Sequence, residues 1–419
     1  MWKATVIFLA VYAGLIFSKR HRPYIAWGGI LVALAAGALY PEEILTGINW
    51  NVLGIFAGSL LLAELFIISR LPETISDVLI NHSPNLGLAF LSIIILTSIL
   101  SSFIENVATI LIVAPIAIQL AKKVDVSPVP VIIGLAVSSN LQGTATLIGD
   151  PPSMILAAAK GMNFLDFFWF EGRIGIFFFV QIGAIFGFAV LFLFLKGMRR
   201  KPVELPVTRV RTWTPVWLLG VMVVLLSLAS IVDSEFRWFS GTVCMVIALV
   251  GLLWYRLRDM EGARKLMHHF DWRTAAFIAA VFVLVSMLEE RGAIAALVDR
   301  VGSLGDVRPF ALYAVVVWLS VLISAFIDNV PYITAVLPVV IGLAGRFGIS
   351  GELLAFGVLI GSCLGGNITP IGASANIVAV GILDRAGNPV SFGSFVRIGL
   401  PFTLAATTGA FIALWLVWN

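Results

Sequence analysis

The chain carries nearly the same segment twice, 223 positions apart, and both copies set an acid and an amide inside an otherwise apolar stretch. The first copy reads Ser101-Ser102-Phe103-Ile104-Glu105-Asn106-Val107, and the second Ser324-Ala325-Phe326-Ile327-Asp328-Asn329-Val330. The same shift carries Pro115 onto Pro338, and Gly143, Thr146, Ile148 and Gly149 onto Gly366, Thr369, Ile371 and Gly372. A duplicated unit with ionisable residues at membrane depth is the mark of a secondary transporter built from repeats.

Composition supports that frame. Of the 419 residues 60% are hydrophobic and 12% charged, and the mean hydropathy is +1.04. Soluble domains carry about 25% charged residues, and runs of about 17–25 apolar residues suffice to span a bilayer. Such runs recur from end to end, so the expected address is multi-pass in the cell (inner) membrane. The net charge of +4 does not call for a nucleic acid or other anionic partner, because Lys and Arg gather in short connections, where they fix orientation. Cys244 and Cys363 sit far apart in apolar segments and suggest neither a disulfide nor a metal site. No small-residue cleavage site precedes Lys19-Arg20-His21-Arg22, so a cleavable signal peptide is not expected.

The spans read as 4–17, 24–40, 50–69, 174–196, 213–232, 238–255, 274–290 and 399–418. Segments 86–104 and 105–121 are joined only by Glu105-Asn106, and 310–327 and 328–345 only by Asp328-Asn329. Each pair reads as a hairpin that enters the membrane and turns back inside it, or as a helix broken at the tip. Two further helices break at glycine and proline. One runs from 129 into Gly143-Thr144-Ala145-Thr146-Leu147-Ile148-Gly149-Asp150-Pro151-Pro152-Ser153, the other from 353 into Asn367-Ile368-Thr369-Pro370-Ile371-Gly372-Ala373-Ser374-Ala375-Asn376. The fold class is therefore an all-α polytopic membrane protein with two inverted repeats, each holding a re-entrant hairpin and an unwound helix. The organisation reads as N-terminal helices over 1–44, a first repeat over 45–196, a linker and central helices over 197–265, and a second repeat over 266–419.

Basic connections at Lys19–Arg22, Lys122-Lys123, Lys196–Arg211 and Arg256–Lys265 belong in the cytoplasm, against acidic ones at Pro41-Glu42-Glu43 and Asp233-Ser234-Glu235. Both termini then lie outside, and the two hairpins enter from opposite faces. Residues 163–173 read as an aromatic interfacial segment, with Ser391–Arg397 as its counterpart, and His21, His82, His268 and His269 fall in expected loops.

Glu105 and Asp328 are the leading functional candidates. A carboxylate at the bilayer centre costs a contested ~2.5–3.5 kcal/mol on insertion scales and usually marks an ion or proton path. The competing account is that each caps the second helix of its hairpin; the two roles are compatible. Asn106 and Asn329 bring amides to the same depth, and Thr144, Thr146, Asn367, Thr369, Ser374 and Asn376 add hydroxyls and amides from the unwound stretches. Asp150 has Ala373 opposite it in the second copy and is read either as an asymmetric proton-coupling residue or as a helix cap. Glu64 reads as a structural partner, Glu289-Glu290-Arg291 as an interfacial helix end, and Arg173 and Arg397 as anchors. No nucleophile–base pair, metal set or phosphate loop is present in the pattern, so neither an enzyme nor a cofactor is expected.

The tips F-I-E-N-V and F-I-D-N-V, together with G-T-A-T-L-I-G-D-P-P-S, resemble the ion transporter superfamily over about residues 45–415. That superfamily holds the divalent anion/sodium symporters, arsenite efflux pumps, P proteins and certain sodium/proton antiporters. The symporters have Ser-Asn-Thr at the tips; here Glu105 and Val107, and Asp328 and Val330, flank the asparagine. Acids in place of serine favour proton or cation coupling over a dianion and place the chain nearer the arsenite pump, P protein and antiporter branch. Ser153 stands where the family usually has asparagine. The resemblance implies a scaffold half and a moving half working by alternating access, and a homodimer. The cargo expected is a small inorganic solute exported against protons, arsenite or antimonite first, with a soluble ATPase partner if the chain is an arsenite pump. Sodium/proton antiport is the alternative, and dicarboxylate uptake the third reading.

Overall fold

The computed structural model describes residues 1–18, 21–303, 305 and 307–419. Lys19 and Arg20 of the first basic connection, and Asp306 of the connection before the second hairpin, therefore lie outside the described residues. The described chain is almost wholly helical, and nine of its helices are long and apolar enough to cross a membrane.

Ten helices precede the linker. They are α1 (Trp2–Phe17), α2 (Arg22–Ala35), α3 (Pro41–Gly47), α4 (Trp50–Ile68), α5 (Leu71–His82), α6 (Leu86–Ser101), α7 (Asn106–Lys123), α8 (Val129–Gly143), α9 (Pro151–Lys160) and α10 (Ile176–Leu195). Ten follow it: α11 (Thr214–Val232), α12 (Phe239–Arg258), α13 (Met260–His269), α14 (Trp272–Glu290), α15 (Ala293–Gly302), α16 (Pro309–Ser324), α17 (Asn329–Phe347), α18 (Gly351–Gly365), α19 (Ser374–Arg385) and α20 (Phe392–Trp418). Long and short helices alternate in the same order in both sets. Helices α6 and α7 form the first hairpin and α16 and α17 the second, while α8–α9 and α18–α19 are the two broken helices.

The halves exchange partners. Helix α12 lies along α4, and α2 lies along α14. Glycines allow the first contact: a Cβ on Gly54 would meet the Gly241 backbone at 3.0 Å. Indole Nε1 of Trp27 donates to the Ala276 carbonyl at 3.0 Å and ties α2 to α14. At the far end of α14, Arg291 holds both oxygens of Glu43 at 2.8 and 2.9 Å and the Ala38 carbonyl at 3.0 Å, so the interfacial helix end is clamped to α3. An ion pair between Lys160 and Glu352 joins α9 to α18 across the repeats.

Three local expectations change. Ser391–Arg397 is the N-cap and first turns of the 27-residue α20, continuous with that helix rather than a separate segment, because Ser391 caps it by accepting from Ser394 N at 3.2 Å. Residues 163–173 form a 3-10 turn (Phe164–Phe167) and a two-residue antiparallel pair, Trp169–Phe170 with Arg173–Ile174; Phe164 and Phe167 are buried in the protein. His82 and His268 lie in the short helices α5 and α13 rather than in loops, since 10–12 residues of amphipathic helix are too brief to stand out against the long apolar spans.

The inverted arrangement gives a labelling prediction. In a background lacking Cys244 and Cys363, a cysteine at Gly305 should react with an impermeant thiol reagent in intact cells, and one at Lys123 should not. Both positions are exposed. Equal labelling would mean parallel repeats or hairpins that cross fully.

Candidate functional site

Each hairpin turns within four residues and restarts on its acid. Glu105 is the N-cap of α7, with extended backbone (φ −52°, ψ 140°) and a carboxylate that accepts from Ala108 N at 3.0 Å. Asp328 caps α17 in the same way (φ −61°, ψ 145°), accepting from Val330 N at 3.3 Å. Capping is thus a real role of both acids. Behind them Ser101 donates to Asn106 Oδ1 at 2.6 Å, and Ser324 donates to Asn329 Oδ1 at 3.0 Å. The repeat therefore preserves individual side-chain bonds as well as helices.

The unwound stretches hold the tips from behind. Thr146 donates to the Ser102 carbonyl, and Thr369 to the Ala325 carbonyl. Each tip lies so close to the end of α8 or α18 that only glycine fits. A Cβ on Gly143 would stand 2.5 Å from Asn106 Oδ1, and one on Gly366 2.8 Å from Asn329 Oδ1. Gly143→Ala and Gly366→Ala should each cost about 1–3 kcal/mol through overpacking. Gly345, with nothing within 4 Å of the corresponding Cβ, is the control. Its alanine variant should melt at or above the parent temperature, and equal melting of all three variants would remove the close-approach argument.

Asn140 joins the repeats at the centre. Its Nδ2 donates to Asn367 Oδ1 at 2.8 Å and to Asn376 Oδ1 at 3.0 Å, while its Oδ1 accepts from Asn106 Nδ2 at 3.3 Å. The repeat pattern hid this residue, because the same shift places Cys363 in its position.

The tips open on a cavity of about 560 Å³. Of the binding and coupling residues expected from the sequence, Glu105, Asn106, Asp150, Asp328, Asn329 and Ser374 line it. Thr144, Thr146, Asn367, Thr369 and Asn376 do not line it; they are buried behind the wall, and their polar groups are spent on the chain itself. Asp150 stands at the N-cap position of α9, but its side chain makes no capping bond, so the capping account of this residue finds no support in the geometry. Further charged groups reach the cavity from other helices: Arg22 from α2, Glu64 from α4, and Asp271 and Arg273 from the start of α14. Arg22 forms an ion pair with Asp328 at 3.0 Å, and both side chains are mostly buried. Among the described residues Glu105 has no cation at ion-pair distance. In the sequence Arg22 belongs to a basic connection, and nothing around it or around Asp271 and Arg273 interrupts the expected loop-to-helix pattern.

A second cavity, of about 550 Å³, lies between the opposite ends of α4 and α14. Shifts of 222–223 relate its lining to that of the first: Asn49, Phe282, Ser286 and Thr334 answer Asp271, Leu60, Glu64 and Leu111. The two cavities are thus related by the duplication.

Comparison with known proteins gives one consistent group. Residues 12–361 match the citrate transporter family, CitMHS. The chain is 26% identical to a 46 kDa membrane protein of Mycobacterium leprae over 99% of this chain and 98% of that one. It is also 26% identical to the human P protein, over 97% of this chain but only 58% of that protein, and to an uncharacterized transporter of Synechocystis over 99% and 97%. Among solved structures the YdaH transporter of Alcanivorax borkumensis superposes with a TM-score of 0.61 at 16% identity, covering 92% of this chain and 88% of that one, a likeness of fold. These matches agree with the superfamily resemblance carried by the tip and G-T-A-T motifs.

Proposed function

The chain belongs to the citrate transporter family, a membrane transporter family of the ion transporter superfamily, and we propose that it is a proton-coupled exporter of a small inorganic solute. Arsenite or antimonite is the first candidate cargo. The observation that carries this reading is the charge balance of the cavity between the tips: five carboxylates, Glu64, Glu105, Asp150, Asp271 and Asp328, against two guanidiniums, Arg22 and Arg273. A free polyanion such as citrate would meet carboxylates of its own sign in a space of lowered dielectric. A neutral trihydroxide needs hydrogen-bond donors and acceptors instead, and the Asn329 amide and the Ser374 hydroxyl line the cavity beside the tip acids. In this reading Glu105 and Asp328 move protons, and alternating access uses the two cavities in turn.

The acid excess also favours a second reading, sodium/proton antiport, in which the cation and the proton compete for the same carboxylates. Growth of a sensitive host separates the two. Expression should protect against arsenite and not against sodium chloride; the reverse result selects the antiporter, and protection against neither removes both.

A further inference from the structure

The two tip acids are alike in sequence and in capping, yet unlike in charge environment. Asp328 has Arg22 at 3.0 Å, whereas Glu105 has no such partner among the described residues. By element order the counterpart of Arg22 falls at the start of α12, where the nearby Arg237 pairs with Glu235 on the surface. Among the described residues, the second tip alone is therefore tied by a cation.

Arg22 belongs to α2, which Trp27 anchors to α14. Asp328 belongs to the turn of the second hairpin. The ion pair thus spans the boundary between the framework and the part that carries the site. Its guanidinium is only partly satisfied: Nε, and the Tyr12 hydroxyl lining the same small pocket behind Asp328, are buried with no hydrogen-bond partner among the described residues. An arrangement that leaves donors unused depends heavily on the one charge it faces.

We infer that Arg22 is the coupling lock of the transport cycle: it fastens the second hairpin tip to the framework while Asp328 is a bare carboxylate. Neutralising that carboxylate, by a proton or a bound cation, releases the tip. The inference rests on the reading of the tips as the moving part of a proton-coupled carrier. A ligand shifts a conformational equilibrium only by its differential affinity for the two states. A proton on Asp328 has that differential affinity, because it removes the attraction that one state makes with Arg22. An exchanger also needs this behaviour, since the unloaded carrier must stay put while loaded carriers cross. Glu105, Asp150, Glu64, Asp271 and Arg273 share the cavity, and among the described residues the ion pair that ties the second tip to α2 is the one between Asp328 and Arg22.

The test reads opening of the cavity without any cargo. Leu111 lines the first cavity and is exposed, so a cysteine there, in a background lacking Cys244 and Cys363, reports access. Maleimide labelling rates would be compared at one pH in nanodiscs, where both faces are reachable. Arg22→Gln should change the rate at least three-fold, Asp328→Asn should change it in the same direction by a similar factor, and the combined variant should go no further. Arg22→Lys should keep the parent rate. A parent rate in Arg22→Gln, or additive changes in the double variant, overturns the lock. Should Arg22→Gln not purify as a monodisperse protein, Asp328→Asn decides alone, and a parent rate there overturns the lock equally. Labelling involves no cargo, so a host left unprotected against arsenite would count against the proposed cargo and not against the lock.

Discussion

Glu105→Gln should reduce proton-driven transport in proteoliposomes to the level of protein-free liposomes while the protein still folds. Asp328→Asn should do the same. The amide variants preserve size and an acceptor oxygen, so the caps on Ala108 N and Val330 N survive in weaker form. For Glu105→Gln the expected stability loss is at most about 1 kcal/mol, the ordinary worth of a cap. What they remove is the ability to titrate. If capping were the whole role, both variants would transport at parent rates with slightly lower melting temperatures. Parent rates in both would end the proton-coupling assignment, whichever cargo is carried. Glu105 is the cleaner probe of the two, because removing its charge orphans no ion-paired cation, whereas Asp328→Asn leaves Arg22 without its partner.

The duplication was legible because it is written in rare residue types. An acid and an asparagine within an apolar run, and glycine and proline at fixed offsets, survive as a pattern even when the apolar residues around them drift. That gave both hairpins, both broken helices and six of the cavity-lining side chains. Other features escaped for physical reasons. The hydroxyls of Thr146 and Thr369 reach the tips from 44 positions along the chain, yet they bond backbone carbonyls. Residue type tells that a group can hydrogen-bond and leaves open whether a substrate or the chain is its partner. Arg22 looked like one more topology-setting cation, since its partner is 306 positions away and nothing local distinguishes it from its basic neighbours. Asn140 had no echo in the second copy. The asymmetric residues, which a repeat-based reading discounts, are those that cross-link the halves.

Asn140→Asp should be the most damaging single change in the protein. The orientation of the neighbouring amides is fixed by groups that can only accept: Asn376 Nδ2 donates to the carbonyls of Gly366 and Thr369, both at 2.9 Å, and Asn367 Nδ2 donates to the Val137 carbonyl at 3.1 Å. Their Oδ1 atoms must therefore face Asn140, which meets them with its two N–H groups. An aspartate has no donor to offer and would set a buried carboxylate against two carbonyl oxygens. Asn140→Leu removes the bonds without the charge and leaves those two acceptors and the Asn106 amide unpaired. With each orphaned buried group costing about 1–3 kcal/mol, a loss of roughly 3 kcal/mol or more is expected for Leu and more again for Asp. Cys363→Ala, at the matching position of the second repeat, should cost less than Asn140→Leu, because a thiol is a weak hydrogen-bonding group and its sulfur lies 4.0 Å from the Ser362 hydroxyl. Thermal unfolding in detergent with each variant gives the order directly. If Asn140→Leu melted with the parent, the amide cluster would have to be satisfied from elsewhere, and Asn140 would no longer count as the joint between the two repeats.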